Sequence, residues 1–237
     1  AFLERFPTVV GCAGAPAGDV IAAWAGLGYN RRAVNLHRSA VMIVDEHRGV
    51  VPDTLDDLLT LPGVGPYIAR AVLVFAHDRD VGVVDTNVAR VLARWEGRPL
   101  TRAEVQQLAD GAVPEGRAWA WNQALFDLGA TVCVARSPRC ADCPVRSWCA
   151  WAGRDDEADP MLRTAGTGSR QSRFAGSDRQ GRGRLVDALR LGPVPEEPGV
   201  LARTMGWPDD PDRARRVAAT LVDDGLAVRQ AGHYRLP

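Results

Sequence analysis

The chain of 237 residues carries 29 basic and 29 acidic residues, so its formal net charge is zero and does not by itself indicate a nucleic-acid partner. With 46% hydrophobic and 24% charged residues it has the composition of a globular protein, and no apolar run approaches the roughly 20 residues that span a bilayer. Every basic residue is an arginine, which excludes enzymes that need a lysine Schiff base within this chain. With no signal segment at its start, we expect a cytoplasmic protein without membrane contact.

The start of the chain is unusual. It begins at Ala1 without a methionine, and residues 2–7 are typical of the end of a helix. We therefore expect the natural N-terminus to be missing.

Apolar periodicity and end signals predict a mainly helical structure for the first 150 residues. Asp53 and Asp85 are suited to cap helices, Pro66 to open one, and Thr101 with Glu104 to form a capping box. The predicted helices cover residues 19–25, 30–48, 53–60, 66–77, 86–95, a segment from 101 onward, and 115–132.

The remainder of the chain divides into a linker and a second unit. Residues 151–179 are rich in Arg, Gly and Ser, which suits either a solvated tether or a segment lying on phosphates. Residues 180–237 predict helices at 184–191, 200–206 and 211–224, then a hairpin around Ala231 and Gly232. That order is typical of a winged helix, a unit that contacts DNA in some proteins and protein in others.

A glycine-rich hairpin, Leu61-Pro62-Gly63-Val64-Gly65, separates two predicted helices. Glycines tolerate positive φ and leave backbone N–H groups uncovered at the start of the next helix. Such a helix start attracts anions, and a DNA phosphate fits because that contact needs no base identity. A tight helix–helix turn that needs glycine for geometry alone remains the alternative.

Four of the five cysteines, Cys133, Cys140, Cys143 and Cys149, are spaced C-x6-C-x2-C-x5-C. Four thiolates close a site for a soft metal, and the spacing alone leaves both zinc and an iron–sulfur cluster open. Cys12 stands apart and is expected to be a small buried residue.

The hairpin, Asp85 and the four cysteines, in this order, resemble the helix-hairpin-helix DNA glycosylases that contain a [4Fe–4S] cluster. The resemblance implies a helical glycosylase domain over residues 1–150 that ends in the cluster loop, before the winged-helix-like unit. Leu61, Gly63, Val64 and Gly65 would contact DNA, and the cysteines would bind the cluster. Asp85 would face a flipped nucleotide and stabilise positive charge on its sugar.

Four further stretches are similar to the adenine DNA glycosylases of the MutY type: residues 6–8, 24–29, 35–37 and 121–129. This resemblance implies hydrolytic removal of adenine mispaired with 8-oxoguanine or guanine in double-stranded DNA, by a monomer associated with the nucleoid. Tyr29 would wedge into the base stack, with a half-buried helix-end role as its alternative. Asn87 and Arg90 would lie near the flipped nucleotide; the alternative for both is a role as ordinary surface residues.

Tyr67 occupies the position at which bifunctional relatives such as endonuclease III have their lysine nucleophile. Because tyrosine forms no imine, we expect a monofunctional glycosylase that also contacts DNA through Tyr67.

Two departures from the family pattern matter. The family's catalytic glutamate lies upstream of Ala1, so this chain is either a fragment, which we favour, or inactive as it stands. Many relatives end in a Nudix-like domain, which residues 180–237 do not resemble. They look more like the winged-helix-like tail of actinobacterial relatives. The competing interpretations are a thymine or uracil mismatch glycosylase of the same superfamily, and a non-catalytic module that binds damaged DNA.

The metal content separates the two cysteine hypotheses. Protein purified without oxygen should contain about four iron atoms per chain, as a [4Fe–4S] cluster requires. Zinc without iron, measured by elemental analysis, would contradict the resemblance.

Overall fold

The computed structural model describes residues 1–152, 154, 158–168 and 173–237. Its α-helices are α1 (Phe2–Arg5), α2 (Val9–Ala13), α3 (Ala17–Ala23), α4 (Arg31–Glu46), α5 (Leu55–Thr60), α6 (Pro66–His77), α7 (Thr86–Glu96), α8 (Arg102–Gly111), α9 (Ala118–Thr131), α10 (Asp178–Leu191), α11 (Pro198–Met205) and α12 (Pro211–Asp223). Short 3-10 helices occupy Cys140–Asp142, Arg146–Trp148 and Pro160–Arg163, and the strands are β1 (Val194–Pro195), β2 (Val228–Gln230) and β3 (His233–Arg235). The mainly helical fold class is confirmed, and no helix in the described ranges is long and apolar enough to cross a membrane.

Several helix boundaries differ from the prediction for local reasons. Helix α5 is capped by Thr54, whose hydroxyl accepts from the Asp57 N–H, whereas the predicted cap Asp53 forms an ion pair with Arg79. Helix α9 starts three residues late because Gly116 has a left-handed φ of 67°.

Helix α10 starts six residues earlier than predicted. Ser177 caps it by accepting from the Gln180 N–H. Gly181, a poor helix former, lies against the ring of Trp207, where a Cβ would collide. The glycine is therefore retained by close packing.

The chain forms two compact units that combine distant segments. The first contains Ala1–Pro52, Leu61–Gly63 and the described residues from 173 to 237, and the second contains Asp53–Thr60 and the described residues from 64 to 168. The division into consecutive segments 1–150, 151–179 and 180–237 stays a proposal about domains.

In the first unit, α10, β1, α11, α12, β2 and β3 follow one another in the expected winged-helix order. The antiparallel sheet has the order β1-β3-β2, with Tyr234 opposite both Val194 and Arg229. Ala231 and Gly232 both have positive φ, as the predicted tight hairpin turn requires. Strand β1 was not predicted, because two residues give no periodic signal.

The core of the first unit joins this C-terminal part to residues near the start of the chain. Ile21, Trp24, Ala33 and Val34 are buried in one hydrophobic cluster with side chains of α10, α11, α12 and the sheet. The winged-helix-like part is thus packed on α3 and α4.

The core of the second unit lies between α7, α8 and α9. Beside it, Asn122 of α9 is buried and accepts from the Val83 N–H at 2.7 Å while donating to the carbonyls of Val81 and Ala118. One amide therefore fixes the extended segment that leads into α7.

The described part of the predicted linker also packs on this unit. Leu100 N–H donates to Thr164 Oγ1 at 3.0 Å, and Ala165 N–H donates to the Leu100 carbonyl at 3.0 Å. Residues 158–168 are therefore held by backbone contacts; residues 153, 155–157 and 169–172 lie outside the described residues.

Replacing Asn122 tests whether that amide fixes the segment before α7. Asn122→Ala should lower the free energy of unfolding by about 2 kcal/mol, because buried backbone partners lose their hydrogen bonds. Urea unfolding measures this loss. Gln123→Ala, at the half-buried neighbouring position whose amide donates to the exposed Asp127, should change it by less than about 0.5 kcal/mol. Equal effects of the two substitutions would contradict the assignment.

Candidate functional site

Asp85 caps the N-terminus of α7 with a half-buried side chain. Its Oδ1 accepts from the backbone N–H groups of Asn87 at 2.8 Å and Val88 at 2.7 Å, and its Oδ2 accepts from Asn87 Nδ2 at 3.0 Å. Three donors fix the orientation of this carboxylate. The cap predicted from the sequence is therefore present, and it holds a negative charge at a defined place.

Arg90 connects this cap to the cysteine loop. Its guanidinium donates to Asn87 Oδ1 at 2.8 Å, to the Gly129 carbonyl at 2.7 Å and to the Cys133 carbonyl at 2.7 Å. Because Arg90 engages the Asn87 oxygen, the Asn87 NH₂ group faces Asp85. One continuous chain of hydrogen bonds thus runs from Asp85 to Cys133.

The predicted DNA contact of Arg90 needs correction. The residue is only 5% exposed, and the donors named above point into the protein. Burial lowers the pKa of its guanidinium, which the negative charges of Cys133 and Asp85 oppose. This geometry supports a positioning role for Arg90, whereas Asn87 remains half-buried beside Asp85.

Arg94, one turn further along α7, is a buried arginine of this site that the sequence reasoning missed. It is 2% exposed and forms an ion pair with Asp159 at 2.6 Å. It donates to the Val134 carbonyl at 2.8 Å and to Cys133 Sγ at 3.3 Å, and its guanidinium lies 5.0 Å from the Trp151 ring centroid. Two arginines four residues apart in an otherwise apolar helix segment were the available signal.

The four cysteines line one cavity, together with Arg94 and Trp151. Within the described residues, no three His, Cys, Asp or Glu side chains are placed to hold a metal ion. Four thiols around a shared cavity suit a soft metal or an iron–sulfur cluster, and this geometry alone leaves both open.

The electrostatics of Cys133 suit a cluster ligand. Burial raises the pKa of its thiol, and the hydrogen bond and charge of Arg94 oppose that rise. For Arg94 itself, burial alone would lower the pKa, but hydrogen bonds to Asp159 and Cys133 raise it overall. Helix α7 therefore places the positive charge of Arg94 beside the Cys133 thiol.

The two glycines of the hairpin, Gly63 and Gly65, differ in their structural roles. Gly63 has a φ of 75° and lies against the Asn35 side chain, so the local geometry requires glycine there. Gly65 has an extended backbone with a φ of −98°, so of the two hairpin glycines Gly63 is the one with a positive φ. A Cβ on Gly65 would meet open space, so this glycine leaves room for a molecule approaching the start of α6.

The other hairpin residues differ in exposure. Leu61 is 5% exposed, so its side chain is buried, and the predicted DNA contact at this position stays a prediction about the backbone. Val64 is half-buried, and Tyr67 in the first turn of α6 is 47% exposed. No side chain caps α6, so its first N–H groups suit an anion.

Tyr29 lies in an exposed loop of the first unit. Its side chain is 71% exposed, so the half-buried alternative is wrong. Its φ is 48°, an uncommon value for a residue with a side chain, and the preceding Gly28 also has positive φ. Trp24 Nε1 donates to the Gly28 carbonyl at 2.9 Å and fixes the loop from inside.

Two family models match the chain at these features. The helix-hairpin-helix motif matches residues 46–75, and the iron-sulfur binding domain of endonuclease III matches residues 133–149. The second match spans the four cysteines and confirms the [4Fe–4S] cofactor over zinc.

Solved structures agree on the fold. A thermostable thymine-DNA glycosylase is similar at a TM-score of 0.60 and 28% sequence identity. The similarity covers 64% of this chain and 72% of the glycosylase chain. Endonuclease III in a non-covalent DNA complex is similar at a TM-score of 0.56 and 27% sequence identity. The similarity covers 63% of this chain and 72% of the endonuclease III chain. These similarities place the chain among DNA-binding glycosylases.

Proteins with curated functions define the subfamily. The adenine DNA glycosylases of Mycolicibacterium smegmatis and Mycobacterium tuberculosis are each 42% identical over 100% of this chain, which covers 79% and 77% of their lengths. The human adenine DNA glycosylase is 39% identical over 62% of this chain and 28% of its own length. The chain belongs to the adenine DNA glycosylase family.

Proposed function

We propose that this protein acts as a monomer on double-stranded chromosomal DNA and hydrolyses the N-glycosidic bond of adenine mispaired with 8-oxoguanine or guanine. The relatives' established activity supports the choice of base. The observation that carries the chemistry is the Asp85 carboxylate, held by three donors at the N-terminus of α7.

The proposed role of Asp85 follows from the reaction. As the bond between C1′ and adenine breaks, positive charge develops on the sugar, and water then adds at C1′. A carboxylate that is already oriented stabilises this charge without reorganising during the reaction. Asp85 only accepts hydrogen bonds in this arrangement, so the proton that adenine takes up comes from another group.

Asn87 and Arg90 are proposed to keep Asp85 in this orientation. Arg90 holds the Asn87 oxygen, and the Asn87 NH₂ group binds the second carboxylate oxygen. When bound, the cluster supplies structural cross-linking of Cys133, Cys140, Cys143 and Cys149. The Cys133 carbonyl then gives Arg90 a fixed acceptor.

DNA binding is proposed at two features. The uncapped start of α6, with Gly63, Val64 and Gly65 leading into it and Tyr67 exposed beside it, would take a backbone phosphate. The exposed ring of Tyr29 would stack between bases and open the helix beside the mispair, because an aromatic ring repays part of the unstacking cost.

Asp85→Asn tests the proposed chemistry while retaining the cap, because asparagine also accepts from the first N–H groups of a helix. With protein expressed from its complete gene, the single-turnover rate on adenine opposite 8-oxoguanine should fall about a hundredfold or more. Labelled duplexes cleaved by alkali at abasic sites report this rate.

Two controls accompany this experiment. Asp127→Asn changes an exposed carboxylate of the same unit and should retain activity. Duplexes with thymine or uracil opposite guanine should not be cut, and cutting them in place of adenine would move the protein to the mismatch branch. Retained activity in Asp85→Asn would contradict the assigned chemistry.

Borohydride trapping tests the monofunctional prediction. No strong covalent adduct with an abasic duplex should form, because Tyr67 offers no amine and the chain contains no lysine. Tyr67→Lys, which places an amine at the same position, is the positive control and should raise the trapped fraction on a denaturing gel. Strong trapping by the native protein would overturn the prediction.

A further inference from the structure

Arg190 of α10 joins the C-terminal helices to the exposed loop that presents Tyr29. This loop, residues 24–30, is called the Tyr29 loop below. The guanidinium of Arg190 donates to the Ile21 carbonyl at 3.1 Å and to Asn30 Oδ1 at 2.9 Å. Ile21 lies near the end of α3 and Asn30 directly precedes α4, so one side chain holds both ends of the loop.

Both bonds are made where a partner is needed. The Ile21 carbonyl belongs to the last turn of α3, whose final carbonyls have no partner within the helix and favour a cation. Asn30 stands at the N-cap position of α4 but makes no side-chain cap bond, and its oxygen accepts from Arg190 instead. The Arg190 side chain is only 11% exposed, which shields both bonds from water.

The Tyr29 loop needs such support because of its backbone. Gly26, Gly28 and Tyr29 all have positive φ, and a residue with a side chain pays a strain cost in that region. No heavy atom lies within 4 Å of a Cβ built on Gly26 or Gly28, so outside packing does not hold the loop there. The hydrogen bond from Trp24 to Gly28 holds its middle, and Arg190 holds its ends.

A second contact ties the same place to the C-terminal helices. Asp224, just after α12, forms an ion pair with Arg31 at a distance of 3.1 Å. Arg31 is two residues after Tyr29. Trp24, Ile21 and Val34 are buried in the same cluster as residues of α10 and α12. The base of the loop is therefore held on its polar and its apolar side by residues more than 150 positions away in the chain.

We propose that Arg190 is a positioning residue that preorganises the Tyr29 loop for insertion into DNA. This proposal rests on the proposed DNA contact of Tyr29. A tyrosine held ready before binding loses less conformational freedom on binding, which raises affinity without adding a contact. The C-terminal helices thereby contribute to mispair binding through the Tyr29 loop.

A double-mutant cycle tests this coupling with the full chain carrying its cluster. The probe is a duplex with a 2′-fluoro adenine nucleotide opposite 8-oxoguanine, whose glycosidic bond resists hydrolysis, and anisotropy gives Kd. We expect Tyr29→Ala to weaken binding about tenfold and Arg190→Met about fivefold. Added to Tyr29→Ala, Arg190→Met should weaken it further by less than about 1.5-fold.

The matched control is Arg213→Met. Arg213 lies in the same C-terminal helices, donates to Asp178 at 2.6 Å and covers the Trp207 ring, with no contact to the Tyr29 loop among its hydrogen bonds. It should lower stability and leave Kd within about 1.5-fold. Asn30→Ala removes the loop's acceptor from the other side and should reproduce the Arg190→Met loss, even if Arg190→Met folds poorly.

The outcomes separate the two levels of the proposal. If Tyr29→Ala weakens binding but Arg190→Met and Asn30→Ala do not, or if their effects persist unchanged beside Tyr29→Ala, Arg190 is a structural residue and the inference is wrong. If Tyr29→Ala has no effect on Kd, the proposed DNA contact of Tyr29 is wrong, and the positioning role of Arg190 is overturned with it.

Discussion

The second unit depends most on the hydrogen bonds and the ion pair made by the buried guanidinium of Arg94. A charge taken out of water is tolerated only when it is paired and fully hydrogen-bonded. Arg94 meets that condition with Asp159 on one side and the backbone and Sγ of the cysteine loop on the other. Because each partner comes from a different part of the chain, satisfying one charge fixes residues 133–135 and 159 against α7.

Helix α7 extends this constraint to Asp85 at its N-terminus. Its arginines face the cysteine loop, and Arg90 continues through Asn87 to the capping carboxylate of Asp85. The cysteine loop and the proposed catalytic carboxylate are thus attached to the same three turns of helix. The cluster would do no chemistry on the sugar. Through α7, however, it would help to hold the Asp85 carboxylate in place.

Several local features could be predicted from neighbouring residues, although the caps of α5 and α10 could not. The caps at Asp85 and Thr101 and the helix start at Pro66 rest on local signals and lie where the sequence predicted them. The burial of Arg90 and Arg94 was not predictable from periodicity, since it depends on partners at Gly129, in the cysteine loop and at Asp159 that lie about 40 or more positions away. The packing of the C-terminal helices on α3 and α4 is also long-range, and the left-handed backbone of Tyr29 gives no local sequence signal beyond the glycine that precedes it.

The most direct measurement of the central claim is amide hydrogen exchange at Asn87 and Val88, whose N–H groups bind Asp85. Exchange is followed by mass spectrometry with the cluster present and after its removal by anaerobic chelation. If α7 joins the two sites, removal should accelerate exchange in residues 133–149 and also at these two amides. Faster exchange confined to residues 133–149, with Asn87 and Val88 still protected, would contradict the account.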